Sequence, residues 1–160
     1  MMGVGKSTLA KIVSKRADLK FIDTDLNIEK KLSMKISEIF KKKGEIFFRK
    51  QEEKEVLESL KKNKCVIALG GGAFLNKNVR EIILRESISI WLDIDLKTLA
   101  KRVKWNNKRP LLDGEDALSK IKKLYAQRKK IYRLAQHRIN CNNINKEIIS
   151  KKIIDIYEKQ

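Results

Sequence analysis

Gly3-Val4-Gly5-Lys6-Ser7-Thr8 forms the end of the pattern G-x-x-x-x-G-K-[ST]. Such a segment cradles phosphates. Its backbone N–H groups wrap the anion, Lys6 reaches the outer phosphates, and the Ser7 hydroxyl is placed for Mg²⁺. A helix starting near Gly5 adds the positive end of its dipole. The pattern points to an NTP-dependent enzyme or switch. Its first Gly falls one position ahead of Met1, and the strand that normally leads into the loop is not in the sequence. The expectation is a natural start roughly six to ten residues earlier, a strand's length.

More groups suited to anions and hydroxyls follow. Asp23-Thr24-Asp25 ends a short apolar run, at the strand terminus where α/β sheets place ligands. Two acids at this spacing can divide the work, one facing Mg²⁺ and its waters, the other a substrate hydroxyl. The competing use is a helix N-cap, and the neighbouring phosphate loop favours the ligand role. Phe40 and Phe47-Phe48-Arg49 with Glu52 come next. The Arg49 fork suits a carboxylate, and Glu52, three residues on, shares its helical face and can orient it. Gly70-Gly71-Gly72 ends a buried strand, and three glycines let backbone N–H groups approach a ligand. Arg102, Lys108-Arg109-Pro110 and Arg128 add positive charge late in the chain. The loop 105–114 has the composition of a lid that carries an Arg to the reacting phosphate, with a plain basic surface loop as the alternative.

The elements that must position these groups alternate helix and strand. Helices are expected over 6–16, 26–32, 37–43, 45–61, 79–84, 96–103, 118–135 and 145–157. Gly44 breaks the third from the fourth, and Ile148, Ile149, Ile153 and Ile156 of the last should point inward. Strands are expected over 21–22, 65–69, 87–92 and 138–141. The fold class is α/β, three-layer α/β/α with a central parallel sheet, its first strand missing from the N-terminus. One domain spans residues 1–160, with a substrate-binding region at about 24–60 and a lid at about 104–114.

The composition, 42% hydrophobic and 36% charged, is that of a globular chain, and no run of about 18 apolar residues could cross a membrane. A cytoplasmic location without membrane partners is expected. Cys65 and Cys141 sit in strand-like apolar runs and read as reduced core thiols, and with a single histidine, His137, a zinc site is not expected. The net charge of +18 is spread along the whole chain without interleaved aromatics. That pattern favours solvated faces and phosphate sites over a nucleic-acid stripe.

Taken in order, F-x-D-T-D (Phe21 to Asp25), Gly44-Glu45 leading to F-R-x-x-E (Phe48 to Glu52), G-G-G-A (Gly70 to Ala73), R-P-L-L (Arg109 to Leu112), and Arg128 with Tyr132-Arg133 resemble the shikimate kinases, of the nucleoside-monophosphate-kinase-like group. The match runs over essentially the whole chain. The resemblance implies transfer of phosphate from ATP, with Mg²⁺, to the 3-hydroxyl of shikimate, on the route to chorismate and the aromatic amino acids. By position, it implies that Gly3, Val4, Gly5, Lys6, Ser7 and Thr8 bind ATP. Ser7 and Asp23 would serve Mg²⁺, and Asp25 the shikimate hydroxyls. Phe40, Phe48, Arg49, Gly70, Gly71, Gly72 and Arg128 would form the shikimate pocket, with Arg49 and Arg128 clamping the carboxylate. Arg109 would neutralise the moving phosphoryl group, and Arg102 would pack near adenine. Catalysis would rest on Lys6, Asp25 and Arg109. A monomer is implied. Three alternatives stand beside this reading: another kinase of the fold such as a gluconate kinase, a truncated remnant that binds without transferring phosphate, and a basic nucleic-acid binder.

Overall fold

The computed structural model describes residues 3–99 and 117–159. The proposed lid at 104–114, with Arg109, and the adenine-side Arg102 lie outside the described residues. Helix α1 (Lys6–Arg16) starts behind Gly5, whose φ of 96° and ψ of 23° are left-handed. It leads into strand β1 (Lys20–Asp23). The Asp23 carboxylate accepts the Leu26 N–H at 3.2 Å and caps α2 (Thr24–Leu32). A long helix, α3 (Ile36–Leu60), is interrupted at Gly44, where φ 81° and ψ 169° are non-helical. Strand β2 (Cys65–Ala68) is followed by a 3-10 turn at Ala73–Leu75 and by α4 (Lys77–Glu86), capped by Asn76. Strand β3 (Ile90–Asp93) precedes helical residues 96–99. The chain closes with α5 (Ala117–Tyr132), β4 (His137–Asn140) and α6 (Lys146–Glu158).

All four strands pair in parallel, as two separate ladders. Lys20 to Asp23 lie opposite Cys65 to Ala68, and Ile90 to Asp93 lie opposite His137 to Asn140. Helix α1 packs on α6 and on β1 and β2. Its Leu9 joins Ile139, Cys141 and Ile149 in one apolar cluster. The other side is a larger cluster that joins Val56, Val79, Ile83, Trp91, Ile121 and Tyr132. A third, of Ile28, Ile39 and Phe48, holds α2 against α3. This is the expected layered α/β arrangement.

Among the described residues no strand joins the two ladders. A cavity of about 500 Å³ has all of β2 and residues 87–92 on its walls. Leu9 and Val13 of α1 line it from one layer, Phe74 and Ile83 from the other. No described helix is long and apolar enough to cross a membrane. Neither cysteine is in a disulfide, but only Cys141 is buried, since Cys65 at the start of β2 is half-buried. Burial pushes the Cys65 thiol pKa up. One helix-face expectation fails. Ile148 is 53% exposed, because Ile149, Ile153 and Ile156 keep the i, i+4, i+7 stripe and Ile148 stands one step off it.

Candidate active site

The loop and the first acid meet at the C-terminal end of β1. Ser7 Oγ donates to Asp23 Oδ2 at 2.6 Å. Asp23 is thus both things its position allowed, an N-cap through one oxygen and a partner of the phosphate loop through the other. Two hard oxygens side by side fit Mg²⁺, which takes one or two protein ligands and fills its octahedron with phosphate and water. No cluster of three or more acidic, His or Cys side chains suited to a tighter metal cage occurs among the described residues. Gly3 and Gly5, at φ 75° and 96°, shape the loop ahead of α1 and suit an anion at the helix start.

The second group hangs from α3. Phe40 and Phe48 lie with ring centroids 4.8 Å apart. The Arg49 guanidinium sits over both rings, 5.3 Å from Phe48 and 6.0 Å from Phe40. Its Nη1 donates to Glu52 Oε2 at 2.6 Å, while Nε and Nη2 donate to Glu45 Oε1 at 3.1 and 2.9 Å. Burial opposes its charge, yet Glu52 first and Glu45 after it hold the Arg49 pKa above the ordinary value. The i, i+3 spacing marked Glu52 in the sequence. Glu45, one turn earlier, completes a clasp that spacing alone did not single out.

The glycine triplet gathers the rest. The Gly70 N–H donates to Thr24 Oγ1 at 3.0 Å, and Thr24 Oγ1 donates to Ala68 O at 3.3 Å. The Gly70 amide is therefore held by Thr24. What Gly70 provides is space: a Cβ there would strike Glu52 Oε1 and come within 2.5 Å of Asp25 Oδ1. A Cβ on Gly72 would strike the Arg49 guanidinium. Gly71 O accepts from Arg128 Nη1 at 3.1 Å and from Tyr132 Oη at 2.5 Å. Tyr132, quoted beside Arg128 in the sequence motif, shares this acceptor with it. Burial raises its phenol pKa, against the pull of Arg128. Arg128 is itself buried, and its Nε has no partner among the described residues.

The structure therefore brings Arg49, Arg128 and Gly72 to the wall of one cavity of about 520 Å³. Glu52 lines the same cavity, whereas Gly70 and Gly71 line the cavity between the ladders, with Asp25 beside Gly70, and Ser7 is bonded to Asp23. Lys6 also lines the cavity between the ladders. Asn142 accepts the Asp95 N–H at 2.7 Å and ties the ends of β3 and β4 together.

Comparison with known proteins identifies the family. The family model for shikimate kinase matches residues 2–158. A shikimate kinase of Bartonella henselae is 40% identical over 154 residues, covering 96% of this chain and 73% of that protein. One from a Sulfurihydrogenibium species is 39% identical over 153 residues, covering 96% and 91%. Among solved structures, the shikimate kinase of Acinetobacter baumannii in complex with shikimate superposes with a TM-score of 0.93 at 30% identity, over 99% of this chain and 89% of that one. The Aquifex aeolicus enzyme gives 0.86 at 31%, over 99% and 92%. With the family model matching nearly the whole chain, relatives at 39–40% identity and this close structural superposition, the chain belongs to the shikimate kinase family.

Proposed function

We propose that this chain transfers the γ-phosphoryl group of ATP to the 3-hydroxyl of shikimate, giving ADP and shikimate 3-phosphate. The supporting observation is the convergence of Arg49 and Arg128 on one cavity, with the buried Arg128 Nε–H unmatched by any described acceptor. A buried guanidinium donor needs an acceptor, and a substrate carboxylate supplies two oxygens in the right plane. Phe40 and Phe48 wall the ring. Asp25 orients the attacking hydroxyl, Lys6 holds the outer phosphates, and Gly3, Val4, Gly5 and Thr8 complete the nucleotide cradle. Ser7 and Asp23 would hold Mg²⁺, which neutralises phosphate charge when bound. Arg109 meets the moving phosphoryl group and Arg102 the adenine. The enzyme acts as a monomer in the cytoplasm.

A second reading rests on the cavity between the ladders, which borders Val4 and Lys6. A phosphate loop whose Lys6 stayed in that cavity would leave the acid bound and transfer nothing. The experiment is ADP release with Mg-ATP and either shikimate or gluconate, beside calorimetric titration of shikimate. Release that needs shikimate supports the proposal, and release with gluconate alone overturns it. Shikimate binding without ADP release favours the second reading.

A further inference from the structure

Given the kinase reading on which this rests, we propose that Thr24 is a positioning residue of the reaction: its hydroxyl fixes Gly70, and through Gly70 the Asp25 and Glu52 carboxylates. Thr24 is fully buried at the first turn of α2. Its neighbours in the chain already have tasks. Asp23 caps α2 and bonds Ser7, and Asp25 is the acid beside Gly70. Thr24 Oγ1 donates to Ala68 O at 3.3 Å and accepts the Gly70 N–H at 3.0 Å. A carbonyl only accepts and an amide N–H only donates, so the hydroxyl proton is locked in one orientation. Helix α2 does not need this hydroxyl in order to start, because Asp23 supplies the cap. Nor does the hydroxyl make the local bond to neighbouring backbone that Thr commonly makes. Its partners lie 44 and 46 positions away.

The β1–β2 ladder ends at the pair Asp23–Ala68. Past that pair one strand runs into α2 and the other into the glycine triplet. The Thr24 hydroxyl bridges the two one step beyond the last pair, and so sets Gly70 against the start of α2. Gly70 has no slack there. A Cβ on it would strike Glu52 Oε1 and come within 2.5 Å of Asp25 Oδ1, so its backbone already touches both carboxylates. Glu52 in turn holds Arg49 Nη1 at 2.6 Å. The next residue, Gly71, offers its carbonyl to Arg128 and Tyr132. A shift of Gly70 therefore moves the acid that orients the attacking hydroxyl and both members of the arginine clamp. Ser7 and Asp23 are joined by their own bond and are left in place. Without the Thr24 hydroxyl, the buried Gly70 N–H loses its acceptor, and the turn must move to find another.

The test compares Thr24→Val, which keeps the shape and removes the hydroxyl, with Thr24→Ser, which keeps the hydroxyl and removes the methyl. Steady-state kinetics are read with Mg-ATP and shikimate. Misplacing reacting groups by about 1 Å costs about 100-fold. Thr24→Val should lower kcat/KM for shikimate by about that factor, with kcat down and KM for shikimate up, while KM for ATP stays within about twofold. Thr24→Ser should recover kcat/KM to within about fivefold of the unchanged chain. A merely structural loss removes active molecules, so it lowers kcat and leaves both KM values where they were. Hydrogen exchange at the Gly70 amide is read in parallel and needs no turnover. It should be roughly tenfold faster in Thr24→Val and unchanged in Thr24→Ser. If the unchanged chain releases no ADP with shikimate, the kinase reading fails, while the Gly70 amide still reports the hold of Thr24 on the turn. The proposal is overturned if Thr24→Ser is as impaired as Thr24→Val, if Thr24→Val keeps its kcat/KM, or if kcat falls with both KM values unchanged. Thr24→Ala carries the same expectations should the valine variant not fold, and loss of folding in both overturns the proposal too.

Discussion

Gly72 adopts φ −105° and ψ −22°, angles open to any residue, so its backbone does not require glycine. Its surroundings do, because an added Cβ would run into the Arg49 guanidinium. Gly70 is the same case against Glu52 and Asp25, whereas Gly5, at φ 96° with nothing within 4 Å of a built Cβ, needs glycine for its backbone alone. Gly70→Ala and Gly72→Ala should therefore leave the melting temperature nearly unchanged and lower kcat/KM by about 100-fold, the cost of displacing a positioning group by roughly 1 Å. Steady-state kinetics beside a thermal melt separate the two effects, and a variant that loses stability and activity together contradicts this account. The clasp on Arg49 gives a second expectation. Glu52 is buried in its pair, while the Glu45 side chain is 57% exposed. An incoming carboxylate displaces the weaker, exposed partner. Surface pairs are worth about 0.2–1 kcal/mol, so Glu45→Gln should tighten shikimate binding by up to about fivefold. Calorimetry that shows weaker binding would make Glu45 an orienting group instead of a competitor.

The break in α3 is the element on which this geometry turns. Gly44, at φ 81° and ψ 169°, lies in a region that is essentially glycine's own. It sets the angle between the Phe40 segment and the Glu45–Arg49 segment. Gly44→Ala should cost about 1–3 kcal/mol, read by denaturant melts, and should raise KM for the acid more than it lowers kcat. An unchanged KM would mean that Phe40 and Arg49 keep their places by other contacts. This break, the four strands and most helices were legible in the sequence, because glycine and apolar periodicity are local signals. The 3-10 turn at Ala73–Leu75 was not, since it has no period of its own. Nor was the exposure of Ile148, which depends on which stripe α1 covers. At the site, the residue types and their order were legible, whereas the sharing of bonds was not. Thr24 capturing the Gly70 amide, and Arg128 with Tyr132 meeting on Gly71 O, join residues 46 to 61 positions apart, and spacing says nothing about such pairs.

At the scale of the whole molecule, two electrostatic effects oppose each other. Ion pairs such as Arg16–Glu147, Lys77–Glu81 and Arg85–Glu86 are largely exposed, and screening would weaken them by tenths of a kcal/mol each. Against them stands a net charge of +18 on 160 residues, whose mutual repulsion destabilises the compact state. The pairs with one buried member, Arg49–Glu52, Lys31–Glu55 and Arg138–Asp93, are screened much less than exposed ones. Repulsion therefore wins the balance, and added salt should stabilise the chain. Raising sodium chloride from about 0.01 M to about 0.1 M shortens the screening length from about 30 Å to about 10 Å. The melting temperature should then rise by about 2–4 °C for each kcal/mol of repulsion relieved. Scanning calorimetry at fixed pH reads this directly. A melting temperature that falls across the same range would mean that the surface pairs outweigh the net charge and that the cationic excess is locally neutralised in the fold.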